Sequence, residues 1–213
     1  MVNKVSVIIA IFNEEKYLEK VLSSVIDSEL ITEVICVNDG STDNSLKILK
    51  SFKEKITLID LKKNQGKGNA MAVGIQNAKN EVLLFVDADL KNLQERHIQA
   101  LLHPIVSQQA QVSIGFYTRS IEDIVFSFFL SGQRVYFKKD LVPLLELMKE
   151  SKFGVEILLN HHLKKLQHKR VFLSGLKVTS KQEKHGFFLG TQEFIVQIGE
   201  VISQFIKVKF NKT

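Results

Sequence analysis

The sequence predicts an α/β fold with a mostly parallel central sheet flanked by helices. Three observations lead there. Short runs rich in β-branched residues alternate, through the first half, with stretches whose apolar residues recur at helical spacing. Those runs are apolar almost throughout, the pattern of strands covered on both faces. The segments that follow them are acidic, amide-rich or glycine-rich, as expected where an open sheet offers the carboxyl ends of its strands to a ligand.

Val5–Ile11 (VSVIIAI), Glu33–Val37 (EVICV), Ile56–Asp60 (ITLID) and Val82–Val86 (VLLFV) are the expected strands. Tyr17, Leu18, Val21, Leu22 and Val25 fall on one helical stripe between the first two. Leu46, Leu49 and Phe52 form the next stripe, which Asp43 or Asn44 can cap. Gly66 and Gly68 break the chain before a third helix, over about 69–78. This rhythm requires right-handed crossovers between parallel strands. Gln111–Tyr117 and Arg134–Phe137 read as further strands, with helical stretches over 121–130 and 141–148. Near the C-terminus, Phe194, Ile195, Ile198, Val201, Ile202, Phe205 and Ile206 make a strong helical stripe. It suits packing on the core or on a second copy of the chain, or lying on a membrane beside Lys207, Lys209 and Lys212. With no linker rich in Pro, Gly or Ser and no repeat, 1–213 is expected to be a single domain.

The chain has 213 residues, 45% hydrophobic and 24% charged, which is ordinary globular composition. No apolar run reaches the ~18 residues that span a bilayer. The N-terminal apolar run gives way to charges rather than to a small-residue cleavage site, unlike a signal peptide. The single cysteine, Cys36, cannot form an intrachain disulfide, so a reducing cytoplasm is expected. The net charge of +6 fits a phosphate-rich partner or an anionic membrane surface, and equally a solvated lysine-rich exterior. Without a run of five like charges or aromatic residues interleaved with basic ones, nucleic acid is not an expected partner.

Four strand ends carry the candidate chemistry: FNEE at Phe12–Glu15, NDGSTD at Asn38–Asp43, NQGKGNA at Asn64–Ala70 and DADL at Asp87–Leu90. One such end is ordinary turn chemistry; four converging on one crevice are not. At β spacing Asp87 and Asp89 point to the same side, about 7 Å apart. One carboxylate can then ligate Mg²⁺ or Mn²⁺ while the other orients what the ion carries. The competing reading of the pair is a helix N-cap followed by a first-turn acid. Gly66–Gly68 lets backbone approach a ligand and sets Lys67 beside a helix N-terminus, which suits phosphate. The P-loop pattern is absent, and no G-x-G-x-x-G follows the first strand, which argues against a dinucleotide oxidoreductase.

The stretches VSVIIAIFNEEKYLEKVLSSV, VICVNDGSTDNS and NQGKGNAMAVGIQNAKNEVLLFVDADL, in this order and spacing, resemble the family 2 glycosyltransferases of the GT-A fold. SGQRVYFKKDLVPLL and FGVEILLNHHL fit as well. The motifs look most like the branch that includes glucosyl-3-phosphoglycerate synthase and polyprenyl-phosphate sugar transferases. The resemblance implies a nucleotide-sugar-binding half over about 1–116 and an acceptor half over about 117–213. It implies a UDP- or GDP-sugar donor, with Asp39 near the nucleobase and Asn13 to Glu15 near the nucleotide. Asp87 would face the ribose or sugar, Asp89 would hold Mg²⁺ or Mn²⁺ on the diphosphate, and Lys67 with Gly68 would meet the phosphates. Glu156 would deprotonate the acceptor in an inverting enzyme, or orient acceptor or sugar in a retaining one; otherwise it is a surface helix glutamate. Ser131, Gly132 and Gln133 resemble the acceptor loop, and Arg119 can pair with an acceptor phosphate or carboxylate, or be a plain surface arginine.

One departure stands out. Related enzymes often carry a histidine metal ligand near the place occupied here by GLKVTSKQEKHG, where this chain has Val178, Thr179 and Ser180. Either His185 substitutes from a shifted loop, or the metal keeps a water there. His161 and His162 lack Cys or His partners at metal spacing and read as ordinary helix residues. The expected acceptor is a small phosphorylated metabolite or a polyprenyl phosphate at the membrane face. No hydrophobic helical pair is expected after the domain, as in some lipid-linked relatives, which leaves the C-terminal stripe as the one candidate for a membrane contact. The alternatives are a nucleotidyltransferase, which would favour a G-x-G-x-R-like loop where FNEE stands, and a non-catalytic nucleotide-sugar binder.

Overall fold

The computed structural model describes residues 4–117, 130–151 and 154–178, together with position 199. All but the last residue of the helix expected over 121–130, together with Arg119, His185 and the C-terminal stripe, lie outside the described residues.

The strands are β1 (Val5–Ile11), β2 (Glu33–Asp39), β3 (Thr57–Leu61), β4 (Val82–Phe85), β5 (Val112–Phe116), β6 (Arg134–Phe137) and β7 (His168–Phe172). They form one seven-stranded sheet in the order β3-β2-β1-β4-β6-β5-β7. Among the described strands only β6 runs against its neighbours; β1 pairs parallel with β2 and β4, β2 with β3, and β5 with β7. The mostly parallel sheet is thus as expected. One expectation fails for β3, which is only half-buried, because it is the sheet's edge and lacks a neighbour on one side.

The helices are α1 (Leu18–Ile26), α2 (Ser45–Ser51), α3 (Lys67–Asn77), α4 (Glu95–Val106), α5 (Lys138–Leu141), α6 (Leu145–Glu150) and α7 (Val155–His162), with a 3₁₀ turn at Val142–Leu144. The single helix expected over 141–148 is therefore three short pieces around Pro143, which supplies no N–H to a continuous ladder. Two apolar layers sandwich the sheet. One joins Val7, Ile9 and Leu84 to α1, α2 and α4 through Leu18, Leu22, Leu49, Ile98 and Leu101. The other joins Ile8, Ile35 and Leu83 to α3, α6 and α7 through Ala70, Ile75, Met148 and Leu159. α3 lies very close to β1: a Cβ on Gly74 would stand 2.4 Å from Cγ2 of Ile8.

Two boundaries differ in ways that matter for the site. β4 stops at Phe85, so Asp87 and Asp89 sit in the turn beyond it and are not related by strand alternation. They are not a helix cap either, since α4 begins at Glu95 behind Gln94. α3 begins at Lys67 rather than after Gly68. Gly66, at φ +95°, makes the entry, and Gly68 is tolerated in the first turn, where N–H groups have no intrahelical acceptor.

Candidate active site

The loops at the carboxyl ends of β1, β2 and β4 and the entry to α3 meet at one edge of the sheet. Asn13 takes a left-handed conformation, φ +56°, which asparagine tolerates. Its N–H donates to Ser41 Oγ at 3.0 Å, and its Oδ1 accepts from the Thr42 N–H at 2.8 Å. Glu15 Oε2 accepts from the N–H of Asn44 at 2.9 Å and from its Nδ2 at 2.7 Å. Asp43 takes the N–H of Glu15 through one oxygen and that of Ser45 through the other. The entry of α2 is thus satisfied by Glu15 and Asp43 rather than by the Asn44 side chain. Asn13 and Glu15 therefore fasten the first loop to the second.

Asp39 ends β2, buried, and its two oxygens accept the N–H groups of Gln65 and Gly66, each at 2.8 Å. Burial raises its carboxyl above the ordinary value, and the two amides oppose that rise. Gly40 beside it has φ +70°, and a Cβ there would fall 2.6 Å from the Asn64 nitrogen. Asp39 with glycine next to it closes the second loop onto the entry of α3.

Lys67 leads from that entry into the centre of the site. Its Nζ lies 2.7 Å from Asp87 Oδ1 and 2.7 Å from Glu156 Oε1. Burial alone would lower its pKa, but the Asp87 and Glu156 carboxylates outweigh it and hold the ammonium above the usual lysine value. Glu156 is 5% exposed, so the surface-glutamate reading is overturned. The first turn of α7 delivers it inward to the same cation as Asp87.

The other oxygen of Asp87 accepts from Gln133 Nε2 at 2.8 Å. Ser131 Oγ in turn donates to Gln133 Oε1 at 2.7 Å. A Cβ on Gly132 would stand 2.3 Å from both Asp87 oxygens, so the carboxylate lies against the backbone of this loop. Ser131, Gly132 and Gln133, expected to face the acceptor, are buried and grip Asp87. Behind them, Arg134 donates from Nε to the Ser131 carbonyl and from Nη1 to Tyr136 Oη and Asn160 Oδ1.

Asp89 is half-buried, next to Leu90, which bridges to Val178. Lys91 N–H donates to the Lys177 carbonyl at 2.8 Å, and Asn92 binds both Gly175 and Lys177. Val178 therefore lies beside the turn that carries Asp89. His161 and His162 end α7 with their rings 5.2 Å apart. Among the described residues, no group of three or more His, Cys, Asp or Glu could hold a metal.

Sequence reasoning missed the parts played by Arg134 and Asn160, whereas Ser41 and Gln65 lay in strand-end stretches already singled out. Two signals were available: an arginine in an otherwise apolar strand, and an asparagine four residues after Glu156, on its helical face.

The solved glucosyl-3-phosphoglycerate synthase of Mycobacterium tuberculosis, in complex with Mn²⁺, UDP and glucosyl-3-phosphoglycerate, superposes with a TM-score of 0.75 at 19% identity. That alignment covers 97% of this chain and 80% of the synthase, and shows a shared GT-A fold. Glycosyltransferase GlyA of Streptococcus pneumoniae is 33% identical over 155 residues, 70% of this chain and 22% of the relative. The undecaprenyl-phosphate 4-deoxy-4-formamido-L-arabinose transferase of Proteus mirabilis is 37% identical over 102 residues, 44% of this chain and 31% of the relative. The chain thus spans less than a third of the length of either curated relative. Residues 6–157 match Glycosyl transferase family 2, and the chain belongs to that family.

Proposed function

We propose that this chain moves a sugar from a UDP- or GDP-sugar to a small phosphorylated acceptor or a polyprenyl phosphate, with Mg²⁺ or Mn²⁺ on the donor diphosphate. The observation that carries the reading is the partly buried chain Asp87–Lys67–Glu156, two carboxylates sharing one ammonium at the carboxyl edge of the sheet. Crystal structures of the Mycobacterium tuberculosis synthase hold Mn²⁺ with UDP-glucose and phosphoglyceric acid, or Mg²⁺ with UDP. The Proteus mirabilis relative is named for undecaprenyl phosphate. These two lend support to the two acceptor classes.

The residues present fit an oxygen-preferring ion. A site of one or two carboxylates, with phosphate oxygens and water completing the shell, suits Mg²⁺ and Mn²⁺ and not a histidine-rich zinc centre. Asp89 would hold the ion, with Asp87 beside it; His185 is the candidate for a further ligand. When bound, the ion neutralises charge developing on the leaving nucleoside diphosphate.

The chain's own groups account for the rest. Asp39, Asn13 and Glu15 hold the nucleotide end, on loops already braced against one another. Asp87, aimed by Lys67 and Gln133, accepts hydroxyl hydrogen bonds of the ribose or sugar. Lys67 carries a fixed positive charge at the N-terminus of α3, where the helix dipole adds to its attraction for phosphate. Glu156 faces the acceptor, as base in an inverting transfer or as an orienting group in a retaining one. Arg119 would meet the acceptor's phosphate or carboxylate.

The test is nucleoside diphosphate release by the purified chain, with Mn²⁺, a panel of UDP- and GDP-sugars, and phosphorylated acceptors. Release that needs both a donor and an acceptor and stops on chelation is expected. Binding of a nucleotide sugar without turnover would favour the non-catalytic binder, and neither binding nor release would overturn the proposal.

A further inference from the structure

Arg134 is 1% exposed, in a strand that is otherwise apolar or aromatic. Its backbone is fixed on both sides, opposite Phe85 of β4 and Ile114 of β5. Taking a guanidinium out of water costs several kcal/mol, and nothing in the sheet ladder asks for one there. Its contacts are directional. Nε donates to the Ser131 carbonyl at 2.6 Å, and Nη1 to Tyr136 Oη at 3.0 Å and Asn160 Oδ1 at 2.7 Å. Asn160 stands one helical turn beyond Glu156, on the same face of α7.

Ser131 passes the constraint on. Its hydroxyl donates to Gln133 Oε1 at 2.7 Å, which turns the amide so that Nε2 meets Asp87 Oδ2 at 2.8 Å. Asp87 lies past the end of β4, so its direction depends on such side-chain grips. Gly132 leaves no slack, since even a Cβ would stand 2.3 Å from the carboxylate oxygens. A shift of the Ser131 carbonyl by a few tenths of an ångström would therefore alter how Asp87 is held. With Lys67 between Asp87 and Glu156, the contacts close into a ring: Asn160, Arg134, Ser131, Gln133, Asp87, Lys67, Glu156 and back along α7.

We propose that Arg134 is a positioning residue for donor binding: through Ser131 and Gln133 it sets the orientation of Asp87, and through Asn160 it ties that orientation to the helix bearing Glu156. The proposal rests on the reading of Asp87 as a donor residue. Arg134→Lys keeps the charge but loses the planar fork that reaches the Ser131 carbonyl and Asn160 together. Asn160→Ala removes one partner and serves if the lysine variant fails to fold.

Two measurements decide it. Without ligand, hydrogen exchange of the Gln133 side-chain amide, followed by NMR, becomes about tenfold faster in either variant, as expected for loss of one hydrogen bond's worth of ordering. With Mn²⁺ and UDP-glucose, or whichever nucleotide sugar the unchanged chain binds, Arg134→Lys and Asp87→Asn each weaken donor affinity about tenfold. The double variant binds no more weakly than Asp87→Asn alone, because the arginine acts through Asp87. A merely structural arginine would lower the melting temperature, leave Gln133 exchange unchanged, and add its loss to that of Asp87→Asn. Unchanged exchange or additive losses overturns the proposal. If the unchanged chain binds no nucleotide sugar, the donor reading falls, and the Gln133 exchange still decides whether Arg134 positions Asp87.

Discussion

Lys67→Met keeps the aliphatic stem and removes the ammonium between Asp87 and Glu156. Each carboxylate oxygen is 2.7 Å from Nζ, so the two lie no more than twice that distance apart. At an effective dielectric of about 20, two unit charges about 5 Å apart repel by about 3 kcal/mol. The side chain of Asp87 is 26% exposed and that of Glu156 7%, so water reaches one partner and trims the effect to about 2 kcal/mol. The sign with pH follows. The folded-state pKa of Lys67 is raised, so its stabilisation is fully present below about pH 10.5 and is lost only as the pH rises through the folded value. Between pH 5 and 8 the unchanged protein therefore keeps this contribution constant. The variant instead holds two facing charges, and its deficit shrinks as acid protonates one of them. Urea unfolding at pH 8 and pH 5 reads both quantities: a deficit of about 2 kcal/mol at pH 8, and a clearly smaller one at pH 5. Equal stability at pH 8, or a deficit independent of pH, would refute the claim that this ammonium holds two charges together.

Other residues carry sharp expectations of their own. Gly132→Ala drives a methyl to 2.3 Å from the Asp87 carboxylate, so the loop must move; donor affinity measured by titration falls at least tenfold, while the melting temperature drops only a few degrees. An undiminished affinity would show that the loop does not set Asp87. His97, buried in the first turn of α4, accepts the Gln94 N–H at Nδ1 and must donate from Nε2 to the Ser174 carbonyl, so it is neutral. Burial lowers its pKa, the Ser174 bond opposes that, and Arg96 adds to the lowering. The unfolded chain then binds the proton more readily, and stability falls as the pH drops below about 6.5, by up to about 1.4 kcal/mol per unit. His97→Gln, which can still accept from Gln94, removes that dependence; parallel stability curves for the two proteins between pH 7 and 5.5 would contradict it.

The parallel half of the fold was legible because its signals are local. β1 ends where its apolar run ends, and the α1 stripe of Leu18, Val21, Leu22 and Val25 is buried as spaced. α4 and β7 escaped the reading. α4 buries polar His97 in its apolar face and contains Pro104, while β7 (HKRVF) is a half-exposed edge whose pairing with β5 is set by distant chain. At the site, the sequence pointed to Asp87, Lys67 and Glu156 separately, through motifs more than 60 residues apart at the extremes. Their shared ammonium arises where the first turns of α3 and α7 meet the end of β4, which no spacing encodes. The burial of Ser131–Gln133 against Asp87 was hidden for the same reason: a short polar stretch reads as a loop until its neighbours are known.

The central claim is that the turn after β4 is a metal-assisted donor site. Isothermal titration of the unchanged chain and of Asp89→Ala, with Mn²⁺ and a panel of nucleotide sugars, tests it most directly. The account predicts that one nucleotide sugar binds the unchanged chain in a Mn²⁺-dependent manner, and that Asp89→Ala loses this dependence while keeping its unfolding transition. Unchanged Mn²⁺-dependent affinity in the variant would contradict it.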